Sequence, residues 1–146
     1  MNRREWCKGL LVGAAAVTLA AKGRAQTAQR KGKILMPVGD ATEVVDTLYP
    51  FFRLQEEGYE VVVAGPEARL YHLVTHEQPP NAAVPWDITQ EGPGYHLQAD
   101  IAFRDVKPEE YAGLFVSGGR APEDLRYDPD LMRAVKHFFA AGKPVA

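Results

Sequence analysis

Two short apolar runs, Lys33-Ile34-Leu35-Met36-Pro37-Val38 and Glu60-Val61-Val62-Val63-Ala64, stand one helix's length apart, and this spacing constrains the fold more than any other feature of the sequence. Short apolar runs bounded by turn residues suit strands buried on both faces, which are the strands of parallel sheets. Parallel neighbours need a crossover, usually a helix. The intervening segment supplies one: Gly39-Asp40 turns the chain, Val45, Leu48 and Phe52 recur at helical spacing, and Gly58 closes the helix. Pro50 inside it is expected to kink the helix or displace its axis. The result is a right-handed βαβ unit.

From Tyr71 to Ala102 the pattern changes. Tyr71 to Thr75 and Tyr95 to Ile101 read as strands flanking the Pro-rich stretch Glu77 to Pro85, an excursion of hairpin type. A helical start at Pro108-Glu109-Glu110-Tyr111 leads to a third buried strand, Leu114-Phe115-Val116-Ser117, ended by Gly118-Gly119. Asp128-Pro129 provides an N-cap and a first-turn proline, Leu131, Val135, Phe138 and Phe139 form a core stripe, and Gly142 fits the residue after a helix end. Gly142-Lys143-Pro144-Val145-Ala146 opens a further buried strand. The expected architecture is an open α/β sandwich on a parallel sheet, incomplete at the C-terminus.

With 146 residues, 46% of them hydrophobic and 25% charged, the chain is sized for one globular domain with a core. The net charge of −2 and scattered Lys and Arg provide no basic footprint, which argues against nucleic acid as a partner. Residues 1–25 stand apart. Arg3-Arg4-Glu5-Trp6-Cys7-Lys8, the apolar run Leu10 to Ala21 and the small-x-small site Gly23-Arg24-Ala25 make an export-signal pattern that resembles a twin-arginine signal. The plainer reading is a short membrane anchor or amphipathic tail, but a bilayer span needs about 20 apolar residues. The expectation is therefore a periplasmic or otherwise extracytoplasmic protein with no permanent anchor, divided into signal 1–25, linker 26–32 and domain 33–146. Cleavage would also remove the single cysteine, Cys7, and with it any disulfide or thiol chemistry from this chain.

In a parallel sheet all loops leaving the C-terminal strand ends share one edge, so Gly39 to Glu43, Gly118 to Glu123 and the segment around Ala146 should converge. The first carries Asp40, Glu43 and, a turn later, Asp46. The second carries two glycines whose N–H groups can approach an oxyanion, then Arg120 and Glu123. Each has a plainer explanation: carboxylates at a helix start answer the macrodipole, Gly-Gly is a turn, and Arg120 and Glu123 can form a surface ion pair. His72 and His76 would suggest a metal pair on a helix, but Tyr71, Leu73, Val74 and Thr75 favour a strand, where residues four apart do not share an ion, and no metal site is expected. His96 and His137 read as surface or satisfied structural residues, and Trp86 as a packing anchor.

Gly118-Gly119-Arg120-Ala121-Pro122-Glu123 after an apolar strand, with Gly142-Lys143-Pro144-Val145-Ala146 one helix later, resembles the ThiJ/PfpI (DJ-1/PfpI) family, in its peptidase-like branch of the class I glutamine amidotransferase-like superfold. Glu43 to Pro50 and Glu56 to Val61 are similar to the family's first helix and second strand, so the resemblance runs from Lys33 to Ala146. It implies a flavodoxin-like three-layer sandwich, self-association, no cofactor, and a Cys-His pair on an elbow directly after the Lys-Pro-Val-Ala strand. It also implies roles for five residues. Glu43 is the carboxyl group that tunes the thiolate, and Asp46 falls where relatives carry Glu. Gly119 and Arg120 form the oxyanion-side loop, and Glu123 orients the histidine of a neighbouring subunit.

Two functional readings stay open from the sequence. One is an exported relative of cysteine hydrolases or lyases acting on peptides or small carbonyl compounds, inactive as the 146 residues stand because the nucleophile is absent. The other is a non-catalytic, truncated binding module.

Overall fold

The computed structural model describes residues 31–76 and 91–146. The signal-type segment with Cys7, residues 26–30 of the linker, the stretch from Glu77 to Pro85 and Trp86 lie outside the described residues. Within them the elements run β1 (Lys33–Pro37), α1 (Val44–Glu56), β2 (Glu60–Gly65), β3 (Leu70–His76), β4 (Glu91–Gln98), β5 (Ile101–Ala102), β6 (Tyr111–Leu114), α2 (Ala121–Leu125) and α3 (Pro129–Ala140).

Four strands form a parallel sheet in the order β5-β2-β1-β6. Beyond β6, Val145 bridges Leu114 in parallel, with Leu114 N–H donating to Pro144 O and Ala146 N–H to Leu114 O, both at 3.0 Å. Central β1 alternates between two cores, as the period of a strand requires. Leu35 faces Phe103, Leu114, Leu131 and Phe138, whereas Met36 and Val38 face Val63, Tyr71 and the partly buried Phe51. Helix α3 covers the first face, and α1 with the antiparallel hairpin β3–β4 covers the second. This is a three-layer α/β sandwich. Burying Phe138 and Leu131 contributes about 1.5–3 kcal/mol each, which makes them the main anchors of α3.

Helix ends follow the sequence closely. Asp128 accepts N–H bonds from Asp130 and Leu131 at the start of α3. Gly58 and Gly142 adopt φ of +91° and +61° after α1 and α3. Each forms paired bonds back into the last turn, Gly58 N–H to Gln55 O with Tyr59 N–H to Leu54 O, and Gly142 N–H to Phe139 O with Lys143 N–H to Phe138 O. Helix α1 runs through Pro50 as one element.

Several expectations are corrected. The inward face of α1 is Val44 and Thr47, with Leu48 of the expected stripe and Phe51 partly buried, while Val45 is 64% and Phe52 57% exposed. The inward row is displaced by one residue from the apolar stripe of the sequence, because helical spacing alone does not tell which of two adjacent apolar rows meets the sheet. In α3, Phe139 is 68% exposed and the inward residues are Leu131, Ala134 and Phe138, with Val135 partly buried. Pro108–Glu110 is a single 3-10 turn rather than a helix start, held by Lys143 Nζ donating to Pro108 O and Glu109 O at 3.1 Å. The third strand accordingly begins at Tyr111, paired with Lys33, and ends at Leu114. His137 is not a satisfied structural residue, since its Nε2 is buried without a hydrogen-bond partner among the described residues.

Candidate active site

The loop after β1 and the loop after β6 meet at the C-terminal edge of the sheet by backbone contact. Thr42 and Gly119 form an antiparallel bridge, Glu43 N–H donates to Gly118 O at 3.1 Å, and Arg120 N–H donates to Ala41 O at 3.0 Å. Gly119 is required here on two grounds. Its φ is +90°, and a Cβ on it would stand 2.5 Å from Ala41 O and 2.6 Å from Glu43 N. Ala41 is itself left-handed at φ +64°, a conformation that costs an alanine about 1 kcal/mol or more. The turn that holds it is tied by buried Thr42, whose Oγ1 accepts from Gly39 N–H at 2.9 Å and donates to Gly39 O at 2.8 Å.

Glu43 is only 8% exposed, one of few buried charged or polar side chains among the described residues. Its Oε2 accepts the Asp46 N–H at 2.7 Å, which makes it the N-cap of α1. One carboxylate oxygen is thereby fixed. The other has no hydrogen-bond partner among the described residues. Asp46 carries its carboxylate against the opposite loop, where a Cβ on Gly118 would lie 2.5 Å from Oδ2. The shorter side chain therefore does reach the Gly118-Gly119 turn.

Pro50 has a second consequence at this edge. A proline at position i leaves the carbonyl at i−4 without its helical donor, and that carbonyl belongs to Asp46. Ser117 Oγ, on a residue 4% exposed, donates to Asp46 O at 3.4 Å and takes part of the vacant role. Helix α1 is thus tied to the loop after β6 through the site itself.

Gly119 and Arg120 both stand at this junction, but their side-chain and backbone groups do different things. The N–H groups of Gly118 and Gly119 donate to no acceptor among the described residues and remain available to an oxyanion. The Arg120 guanidinium turns to Glu91 at the start of β4, with NH2 to Oε2 at 2.6 Å, and Glu91 also faces His76 Nε2 at 3.7 Å. The ion pair between Arg120 and Glu123 raised by the sequence does not form. Glu123 lies on α2, exposed, with its N–H donating to Arg120 O and its carboxylate in no ion pair among the described residues. Asp40 points away from Glu43 toward the hairpin. It pairs with Arg69 at 2.6 Å and accepts the His72 N–H at 3.0 Å, and the Arg69 guanidinium holds its carboxyl below the usual carboxylate value.

Sequence reasoning missed Ala41, Ser117 and Glu91. Alanine has no sequence signal for a left-handed turn, and Glu91 reaches Arg120 only through hairpin pairing. Ser117 had a signal in the spacing of Pro50 to Asp46, which left one carbonyl in need of a donor. On the opposite side of the edge, Val116 N–H donates to Ala146 O at 2.8 Å, so Ala146 runs beside the residue that precedes Ser117.

The chain is similar to known proteins in sequence and in fold. A deglycase of Pyrococcus abyssi is 34% identical over 114 residues, covering 78% of this chain and 58% of that protein. Deglycase PfpI of Pyrococcus furiosus is 33% identical over the same length, with the same coverage. Among solved structures, oxidized DJ-1 of Toxoplasma gondii superposes with a TM-score of 0.60 at 24% identity, over 78% of this chain and 53% of that one. A ThiJ/PfpI domain protein of Brachyspira murdochii does so with 0.60 at 16% identity, over 80% and 58%. The chain spans somewhat over half the length of the curated relatives it matches. The pattern of the DJ-1/PfpI family matches residues 32–146, a span that takes in every strand and helix described above, and the chain belongs to that family.

Proposed function

We propose that these residues form the supporting half of a cysteine-dependent site that acts on small carbonyl compounds or carbonyl-derived adducts, a deglycase- or hydrolase-type activity. The observation that carries this is the backbone junction of the two loops, which brings buried Glu43, with one carboxylate oxygen unpartnered among the described residues, together with the N–H groups of Gly118 and Gly119, which donate to no acceptor among them. A thiolate attacking a carbonyl needs both: a carboxyl group to exchange a hydrogen bond with sulfur, and donors for the oxyanion that forms. Exposed Glu123 would act on a neighbouring copy, which makes the active form a homo-oligomer. The only cysteine of the sequence is Cys7, so the 146 residues alone should show no turnover.

A chimera tests this. The chain is joined through Ala146 to the part of Pyrococcus furiosus deglycase PfpI that follows its matching region, and turnover of methylglyoxal adducts is measured beside the unextended chain. The chimera should be active, the unextended chain inactive, and Glu43→Gln in the chimera should lose about tenfold or more in kcat/KM. Turnover by the unextended chain, or an unimpaired Glu43→Gln chimera, overturns the assignment. The export reading has its own check: residues 1–32 fused to a folded reporter should carry it out of the cytoplasm, and R3K with R4K should stop it.

A further inference from the structure

The hairpin β3–β4 holds a pair of titratable rings that the candidate active site does not use. His72 and His96 are direct cross-strand partners, so both side chains stand on the same face. Both are exposed, neither ring makes a hydrogen bond among the described residues, and the ring centroids are 4.6 Å apart with planes at 77°. The pairing is not visible in the sequence, where His76 is the nearer candidate; His76 instead faces Glu91.

We propose that His72 and His96 form a two-imidazole chelate for a borderline transition-metal cation, Cu2+, Ni2+ or Zn2+. Geometry supports it. With metal–nitrogen bonds of about 2.0–2.1 Å and a ring nitrogen about 1.1 Å from its centroid, two imidazoles at angles of about 90–109° on one ion have centroids about 4.5–5.2 Å apart. The observed edge-to-face contact, with centroids 4.6 Å apart, holds the rings close enough to reach that arrangement once they turn their nitrogens toward one ion. The strand register fixes both Cα positions, so binding needs only side-chain rotation. Electrostatics agree, because the nearby Arg69 cation is paired with Asp40, whose carboxylate also accepts the His72 N–H. The described residues contain no group of three or more potential ligands, so among them His72 and His96 alone are offered as the ligands. A bound ion would clamp β3 to β4 and so stiffen the arm that carries His76 and Glu91 to Arg120.

The alternative is an edge-to-face ring contact with no ligand, and titration separates the two. Tag-free full-length chain, stripped with chelator, is titrated calorimetrically with CuCl2, NiCl2 and ZnCl2, and its Tm is followed in parallel. The expected result is one equivalent bound, tightest for Cu2+ in keeping with the divalent affinity order, and a rise in Tm reversed by EDTA. His72→Ala and His96→Ala should each weaken binding by about tenfold or more, whereas His76→Ala, His137→Ala and Cys7→Ser should leave it unchanged. Both rings are exposed, so metal-free melting of the two variants should match the parent. Absence of saturable binding, or binding that survives the His72→Ala/His96→Ala double variant, overturns the proposal.

Discussion

Replacing Gly119 by alanine should be among the most damaging single-methyl additions to this fold, and the structure supplies a matched control. At φ +90° an L-residue pays a conformational penalty of about 1–2 kcal/mol. The new Cβ would also meet Ala41 O at 2.5 Å and Glu43 N at 2.6 Å, both backbone atoms that cannot rotate away. Relief requires the two loops to separate, weakening the Glu43 N–H bond to Gly118 O and the Arg120 N–H bond to Ala41 O, each worth about 0.5–1.5 kcal/mol. The expected cost is therefore about 2–5 kcal/mol, a large part of the roughly 5–15 kcal/mol that stabilises a typical domain. Gly142 has φ +61°, and a Cβ added to it would meet no atom within 4 Å, so Gly142→Ala should show the conformational part alone, about 1–2 kcal/mol. Urea denaturation followed by circular dichroism compares the two at constant m-value. If Gly119→Ala costs no more than Gly142→Ala, the close approach of the loops is not what Gly119 serves.

Three further outcomes are expected. Asp128→Ala removes the cap of α3 and should cost about 1 kcal/mol in the same denaturation experiment, with Asp128→Asn recovering most of it. Arg69→Ala should let the Asp40 pKa rise toward 3.8, read by carboxyl-carbon NMR; because the folded value is depressed, the stability lost in the variant is present above that pH and fades as pH falls through the folded value. Burial raises the Tyr111 hydroxyl to about 12, so absorbance titration should find one tyrosine that resists ionisation past the ordinary value of 10.0, and stability linked to it is full below pH 10 and lost as pH rises toward 12.

How much of the site was legible in the sequence depends on which residue is considered. Glu43, Gly119 and the meeting of their loops could be read ahead, because a parallel sheet brings all C-terminal loops to one edge whatever the side chains. The partner of Arg120 could not. Glu123 is three residues away and Glu91 twenty-nine, yet the hairpin register delivers Glu91 and the short helix α2 turns Glu123 outward to solvent.

The sequence by itself determined β1, α1 and β2, the parallel sheet, and the ends of α1 and α3, since these rest on local terms: apolar runs, capping side chains and glycines that accept positive φ. Only the tertiary structure decided which apolar row of α1 and α3 faces the sheet, that Ala41 is held left-handed, that Ser117 serves the carbonyl freed by Pro50, and that His72 meets His96. Each of those depends on where a second segment, distant in the chain, comes to rest. Periodicity fixes a residue's place on its own helix or strand, and packing alone fixes what that place confronts.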